Sequence, residues 1–180
     1  MVTVTPYGTT QFYIGTWPQA PAIVDPSSLR TRYADNKEVI KALNLLEKAI
    51  ESKELGKPLD LRGANLKALS GLKIDNGEKV NLEKLIIKIG GDQLGTQYPL
   101  ARACLYKADL SGANLIQADL IQTDLTYAIL TQADLYKANL RGANLTGAKA
   151  VKDGKVISGE ELKNYLIETF EVIINENTRF

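Results

Sequence analysis

The sequence holds 180 residues, with 22 lysines and arginines against 21 aspartates and glutamates, so its net charge is +1. This balance argues against broad binding to DNA, RNA or acidic membranes, and equally against mimicry of a polyanion. One cysteine and no histidine exclude disulfides and Cys/His zinc sites within a single chain. The opening residues MVTVTPYGTT lack the features of a secretory signal, and no apolar run approaches the length of a membrane span. We therefore expect a cytoplasmic protein without membrane insertion.

Residues 1–34 are predicted to form an extended arm. Prolines interrupt any regular element there, and aromatic side chains are too frequent for a disordered tail. These residues are Pro6, Pro18, Pro21, Pro26, Tyr7, Phe12, Tyr13 and Trp17. The arm either packs along the rest of the chain or docks into a partner, with Phe12, Tyr13 and Trp17 as anchors.

A helix is predicted over 35–56. Asp35 or Asn36 can cap its first turn, and Gly56 followed by Pro58 ends it. Its apolar residues recur at helical spacing and form one stripe. The stripe consists of Val39, Ile40, Leu43, Leu46 and Ile50.

A five-residue repeat dominates the sequence from residue 100 onward. The triplet Ala-(Asp/Asn)-Leu occurs seven times, at 64–66, 108–110, 113–115, 118–120, 133–135, 138–140 and 143–145. A spacing of five matches neither a strand nor an α-helix. Because Ala and Leu are two positions apart, both point to one side of a short extended segment and are expected to be buried. The Asp or Asn between them and the two residues that close each unit are expected to face water.

These repeats resemble those of the pentapeptide-repeat family, in the simple Ala-(Asp/Asn)-Leu style that is abundant in cyanobacteria. The resemblance implies an all-β solenoid: a right-handed quadrilateral β-helix with four pentapeptides in each coil. It is strong over 100–150 and weak over 59–89, and the predicted β-helix spans 59–150. Units twenty residues apart should then stack at the usual strand spacing of about 4.8 Å.

The segment 59–98 keeps the repeat register at Leu61 and Leu66 and then loses it. Asn76-Gly77 is a strong turn signal. The apolar residues over 80–89 fit either degenerate repeats or one to two helical turns. We favour degenerate repeats, with loops inserted near 73–79 and 90–98.

Residues 151–180 are predicted to form a hairpin and a second helix. Asp153-Gly154 supplies the turn, and Ser158 with Glu161 has the pattern of a capping box. Because the ends of a β-helix are open and apolar, we assign the two predicted helices as N- and C-terminal caps. The alternative for the C-terminal helix is a surface for homodimerisation, as in some relatives of the family.

The search for chemistry yields no catalytic, cofactor or metal site. Cys104 has no histidine to activate it and is interpreted as an inert thiol. Asp109, Asp119, Asp124 and Asp134 lie on different sides of the coil, so no two of them stack directly. Hydrogen bonding at the corners explains these aspartates better than acid/base catalysis does.

Apolar residues at outward positions define a candidate protein-interaction surface. Its members on the repeats are Tyr106, Ile116, Ile121, Tyr127, Ile129 and Tyr136. Either the N-terminal arm covers them, or they form a flat face for a partner.

The sequence therefore predicts a non-catalytic scaffold that binds an unidentified protein partner through the flat faces of the β-helix and through the arm. The alternative is topoisomerase protection, in which some family members shield DNA gyrase by resembling DNA. Residues 100–150 carry five basic and four acidic side chains, a net charge of 5 − 4 = +1, which disfavours that alternative. Neither hypothesis requires a cofactor or nucleic acid as a direct ligand.

Overall fold

The computed structural model describes residues 26–53, 57–70, 72–73, 77, 79–90 and 99–180. In chain order the elements are helix α1 (Pro26–Arg32), helix α2 (Lys37–Glu51), a 3₁₀ turn (Lys67–Leu69), helix α3 (Leu82–Gly90), strands β1 (Lys149–Lys152) and β2 (Lys155–Ser158), and helix α4 (Gly159–Phe170). Most of the repeats lie between α3 and β1; the triplet at 64–66 precedes α3, and its Asn65 pairs in parallel with Asp109. We call residues 100–149 the repeat stack.

Pairing in the repeat stack recurs every twenty residues. Isolated parallel bridges join Cys104 to Asp124, Asp109 to Ile129, Asn114 to Asp134, Asp119 to Asn139, Asp124 to Asn144 and Ile129 to Lys149. Backbone hydrogen bonds accompany them; the Leu105 amide, for example, donates to the Asp124 carbonyl at 2.7 Å. Four five-residue units therefore make one turn, and each unit lies directly on the unit of the preceding turn.

The Ala and Leu of each unit point into the stack. Nine of its leucines have no solvent exposure: Leu100, Leu105, Leu110, Leu115, Leu120, Leu125, Leu135, Leu140 and Leu145. Thr123 stands at an alanine position and is also fully buried. Its hydroxyl donates to the Leu100 carbonyl at 2.6 Å, so the extra polar atom has a partner. Full burial of one leucine contributes about 1.5–3 kcal/mol to the stability of the fold, and such a leucine recurs every five residues along the stack.

Each unit ends in a tight turn whose third residue is left-handed. The amide of Ala108, for instance, donates to the Leu105 carbonyl at 2.9 Å across such a turn. Positive φ occurs at Gly112, Gly142 and Gly147, where glycine accommodates it without a Cβ penalty. The other corners use L-residues at φ between 54° and 62°: Arg102, Lys107, Gln117, Gln122, Tyr127, Gln132 and Lys137.

The all-β class predicted from the repeats is too narrow, because the described chain contains four α-helices. Its strands longer than one residue are β1 and β2, which pair antiparallel as a two-stranded sheet. This hairpin turns at Asp153-Gly154, as predicted. Ser158 is the N-cap of α4, but its side chain makes no capping hydrogen bond, so the predicted capping box does not form.

Helix α3 corrects the interpretation of 80–89 as degenerate repeats. Asn81 still pairs in parallel with Asn114, as a repeat residue would, but the chain turns helical at Leu82. The Asn81 side chain caps the new helix by accepting from the Lys84 amide at 3.1 Å. Leu82, Leu85 and Ile86 are buried on one face, which is the helical spacing that the degenerate-repeat interpretation set aside.

The predicted boundary of the N-terminal arm also changes. Residues 26–32, placed at the end of an extended arm, form α1 instead. Leu29 is buried, and the Arg30 guanidinium holds α2 through Glu47 at 2.5 Å and Asn44 at 2.8 Å. Pro26 at the first helical position is compatible with this start.

Helix α2 lies within the segment where the sequence predicts a helix, with Asn36 as its N-cap. It packs against α3 and the 3₁₀ turn, while α4 packs against β1 and β2. After α4 the chain returns to the stack: Ile173 pairs in parallel with Asn139, and Arg179 with Asn144. This further layer of pairing over 171–180 was not predicted.

Candidate functional site

The aspartates of the repeats stabilise the corners of the stack through hydrogen bonds to the backbone. The Oδ1 atoms of Asp109, Asp119, Asp124 and Asp134 each accept the backbone N–H two residues further on, at 3.0, 3.1, 3.0 and 3.1 Å. Their neighbours across the bridges are Ile, Asn or Cys rather than a second aspartate. A local Asx turn is therefore the chemistry of these carboxylates, as predicted.

Cys104 lies beside a carboxylate. Its Sγ atom is 3.8 Å from Oδ2 of Asp124, its partner one turn further along the stack. Burial raises the pKa of the Cys104 thiol, and the negative charge of Asp124 raises it further. Both effects suppress the thiolate that a nucleophile requires.

Among the residues described above, no three or more Cys, Asp and Glu side chains gather closely enough to hold a metal ion. None of the described helices has the length and apolarity needed to cross a membrane.

The structure brings Tyr106 and Tyr127 together at one corner of the stack. Their ring centroids are 6.0 Å apart at an interplanar angle of 86°, an edge-to-face contact. The Lys107 ammonium lies 5.1 Å from the Tyr106 ring centroid. Tyr127 remains 53% exposed even though it packs over the next turn. We call Tyr106, Lys107 and Tyr127 the aromatic corner.

Gly147 makes room for the aromatic corner. A methyl group at this position would lie 2.5 Å from two ring carbons of Tyr127. Its backbone φ of +69° also favours glycine. The twenty-residue stacking thus aligns Lys107, Tyr127 and Gly147, and the Tyr127 ring lies over the bare backbone of the next turn.

Ile116 and Tyr136 stack at a different corner, two sides away. The amide of Gln117 donates to the Tyr136 carbonyl at 2.8 Å, and Tyr136 is 38% exposed. The Lys137 ammonium lies 4.9 Å from the Tyr136 ring, and a hydrogen bond with Tyr136 raises the pKa of Lys137. Ile116 is half-buried, and its carbonyl accepts the Asn81 side-chain amide at 3.1 Å.

The remaining predicted interaction residues are dispersed. Ile121 lies at a third corner and Ile129 on the side between two corners, and both are half-buried. Phe12, Tyr13 and Trp17 lie outside the described residues. The predicted surface is therefore several separate columns, of which the aromatic corner leaves the most side chain exposed. On α4, Ile167 is 37% exposed, and homodimerisation through this helix stays a prediction.

Glu83 is the residue that sequence reasoning missed. It is 8% exposed in the first turn of α3, and its Oε2 atom accepts the Asp119 amide at 3.2 Å. In the later turns the corresponding amide donates to a carbonyl 21 residues earlier; that of Asn139, for example, donates to Ala118. The Glu83 carboxylate oxygen thus takes the place of the backbone carbonyl that accepts the corresponding hydrogen bond in the later turns.

The other oxygen of Glu83, Oε1, is buried and has no hydrogen-bond partner among the residues that the structure describes. Burial raises the pKa of this carboxyl to about 7, with the nearby negative charge of Asp119 adding to the effect. A glutamate two residues after a capping asparagine, within an apolar stripe, was the available signal. It could be used only once α3 was recognised as a helix.

The family profile described as pentapeptide repeats matches residues 103–142 in eight copies. No curated protein matches the sequence significantly.

Several solved structures are similar to parts of the chain. A pentapeptide repeat protein (Rfr23) from the cyanobacterium Cyanothece 51142 is 27% identical, over 72% of this chain and 67% of its own, with a TM-score of 0.28. A pentapeptide repeat protein of the Arabidopsis thaliana thylakoid lumen is 28% identical, over 37% and 59%, with a TM-score of 0.19. HetL of Nostoc sp. strain PCC 7120, involved in heterocyst differentiation regulation, is 34% identical over 32% and 36%, with a TM-score of 0.15.

Proposed function

Because this chain belongs to the pentapeptide-repeat family through residues 103–142, we propose that it is a non-catalytic scaffold that binds a protein partner. Its repeats wind as a right-handed quadrilateral β-helix, closed by a helix at one end and by the segment 171–180 at the other. The twenty-residue period and four units in each turn support the quadrilateral form. Helix α3, joined to the first turn through Glu83, and the 171–180 segment, paired with the last turn, support closure of the ends.

The aromatic corner carries the proposal for the binding surface. Exposed tyrosine is common at the centres of protein interfaces, because a large rigid ring is ordered there at little entropic cost. Tyr127 offers such a ring at 53% exposure, and Tyr106 supports it from the side. Lys107 adds a positive charge beside the rings. The occupant is a partner protein whose surface places apolar side chains against Tyr127.

Affinity purification from the native host followed by mass spectrometry would identify the partner, and binding to the purified partner would then be measured by calorimetry. Tyr127→Ala is the test variant. Tyr136→Ala is its matched control, because Tyr136 is also an exposed tyrosine beside a lysine but lies at another corner. We expect Tyr127→Ala to weaken binding by about 2 kcal/mol or more, the range of an interface hot spot, and Tyr136→Ala to leave it unchanged.

Equal binding by wild type and Tyr127→Ala would show that the aromatic corner is not part of the interface. A third variant that lacks residues 1–25 tests the arm and keeps α1, whose Arg30 is bonded to α2. Loss of the partner from this variant alone would place recognition in the arm and not on the stack.

A further inference from the structure

A cavity opens between the last turn of the repeat stack and the C-terminal segment. Its volume is about 510 Å³. It lies away from the aromatic corner, on the side of the stack that carries Asn144 and Arg179. The residues that line it come from three stretches of chain: Ile121, Gln122, Arg141, Gly142, Asn144, Asn175, Asn177 and Arg179.

An irregular spacing in the C-terminal segment forms this cavity. Ile173 and Arg179 pair with Asn139 and Asn144. The segment therefore uses 179 − 173 = 6 residues where the stack uses 144 − 139 = 5. A turn closed by the Thr178 amide, which donates to the Asn175 carbonyl at 3.0 Å, takes up the extra residue. The wall of the cavity is thus built from paired backbone.

The amide side chains of the cavity are oriented by the bonds that they accept. Oδ1 of Asn175 accepts the backbone amides of Gly142 at 2.9 Å and Asn177 at 3.2 Å. Because a backbone N–H can only donate, the accepting atom must be the side-chain oxygen, and the NH₂ group remains to donate. Oδ1 of Asn144 likewise accepts the backbone amide of Thr146 at 3.1 Å.

Gln122 completes this pattern, since its Oε1 atom accepts from Nε of Arg102 at 3.0 Å. Of the four amides that line the cavity, Asn177 donates its NH₂ group to Glu176, and the other three have their oxygens engaged by the protein. In the described part of the chain, no hydrogen bond uses their NH₂ groups. The cavity is rich in donors and poor in acceptors.

The charge in the cavity has one sign. Arg141 and Arg179 line it, no carboxylate does, and among the described residues neither guanidinium has an ion-pair partner. Two acids adjoin lining residues: Asp124, which pairs with Asn144 and whose Oδ1 accepts the Thr126 amide, and Glu176, which lies between Asn175 and Asn177 and whose Oε1 accepts the Asn177 side chain. Both lie outside the lining.

We propose that this cavity binds a small organic phosphate, a site beyond the proposed scaffold function. Two guanidiniums and three NH₂ groups offer more donors than the two oxygens of a carboxylate can take, whereas a phosphate monoester has three terminal oxygens for them. Guanidinium groups match phosphate geometry in bidentate pairs. The volume exceeds that of a phosphate, and Ile121 provides an apolar contact for the organic part of the ligand.

The test uses inorganic phosphate, phenyl phosphate and benzoate as probes, titrated into the full chain and followed by amide NMR shifts and calorimetry. Phenyl phosphate should bind more tightly than inorganic phosphate and shift the amides of Gln122 and Asn175–Arg179. Arg141→Gln and Arg179→Gln should each weaken phenyl phosphate about tenfold to a hundredfold, the usual loss for a charge-assisted hydrogen bond. Arg62→Gln, an arginine at the other end of the stack paired with Asp60, is the matched control.

The amide spectrum of each variant shows whether it folds, and Ile121→Ser serves as a variant without a change of charge. This variant should remove the preference for phenyl phosphate over inorganic phosphate and leave inorganic phosphate binding intact. Tighter binding of benzoate than of phenyl phosphate would overturn the assignment to phosphate. Equal binding by Arg141→Gln, Arg179→Gln and Arg62→Gln, or no shift with any probe, would overturn the site.

Discussion

Replacement of Glu83 by glutamine should stabilise the protein above neutral pH and change little in acid. Glu83 is 8% exposed, and burial raises the pKa of its carboxyl from 4.5 to about 7. A carboxyl whose pKa is raised on folding holds its proton more tightly in the folded state. Its contribution to stability is therefore complete below the unfolded pKa and is lost as the pH rises through about 7.

The size of the effect follows from this shift. The difference 7 − 4.5 = 2.5 units corresponds to about 3 kcal/mol in the free energy of unfolding, at about 1.36 kcal/mol for each unit. Glutamine keeps an oxygen for the Asp119 amide, which Glu83 accepts at 3.2 Å, but does not ionise. Of the charges around the site, Asp119 opposes ionisation and Lys84 favours it, and both remain in the variant.

Urea unfolding followed by circular dichroism, repeated across a pH series, measures this difference. The matched control is Glu168→Gln, an exposed glutamate on α4, which should shift stability by a few tenths of a kcal/mol at every pH. The gap between Glu83→Gln and wild type should widen from acid pH and level off above about pH 7. If the difference in unfolding free energy between Glu83→Gln and wild type is the same at all pH values, Glu83 is not a buried carboxyl that holds its proton on folding.

Three smaller effects can be measured in the same way or by thiol chemistry. Gly63→Ala, at φ +65° with open space around it, should cost about 1 kcal/mol of stability in urea unfolding, from backbone strain alone. Gly147→Ala should cost a further 1–3 kcal/mol or so, because its methyl group meets Tyr127, and this excess should vanish in a Tyr127→Ala background. Cys104 should react slowly with iodoacetamide, and Asp124→Asn should speed the reaction a few-fold by lowering the thiol pKa. Rapid alkylation of wild type at neutral pH would contradict the raised pKa.

The repeats were the part of the chain whose structure could be predicted most completely from the sequence. Their spacing predicted which residues are buried, that units twenty residues apart stack, and that the aspartates form hydrogen bonds at the corners. These features depend on contacts within five residues or at a constant period of twenty. Both distances are visible in the sequence, so no knowledge of the remaining chain was needed.

The candidate surface could be predicted only as a set of residues. The sequence marks Tyr106, Tyr127 and Tyr136 as outward and apolar, but exposure depends on what lies above each of them. Tyr127 is open because Gly147 follows it on the stack, whereas Ile116 is half-buried and accepts a bond from Asn81, just before α3. Packing by distant segments decided which positions remain available.

By itself, the sequence determined the period, the Ala and Leu core and the turn at every fifth residue, since these follow from local sterics and the burial of apolar side chains. Only the tertiary structure decided how the stack ends. In the first turn the Asp119 amide donates to the Glu83 carboxylate, where the corresponding amides of later turns donate to a backbone carbonyl. At the other end, 171–180 pairs with the last turn and its extra residue opens a cavity lined by Arg141 and Arg179. The physical reason is that a repeat specifies its neighbours one turn away, while an end must be completed by a segment that lies outside the repeat.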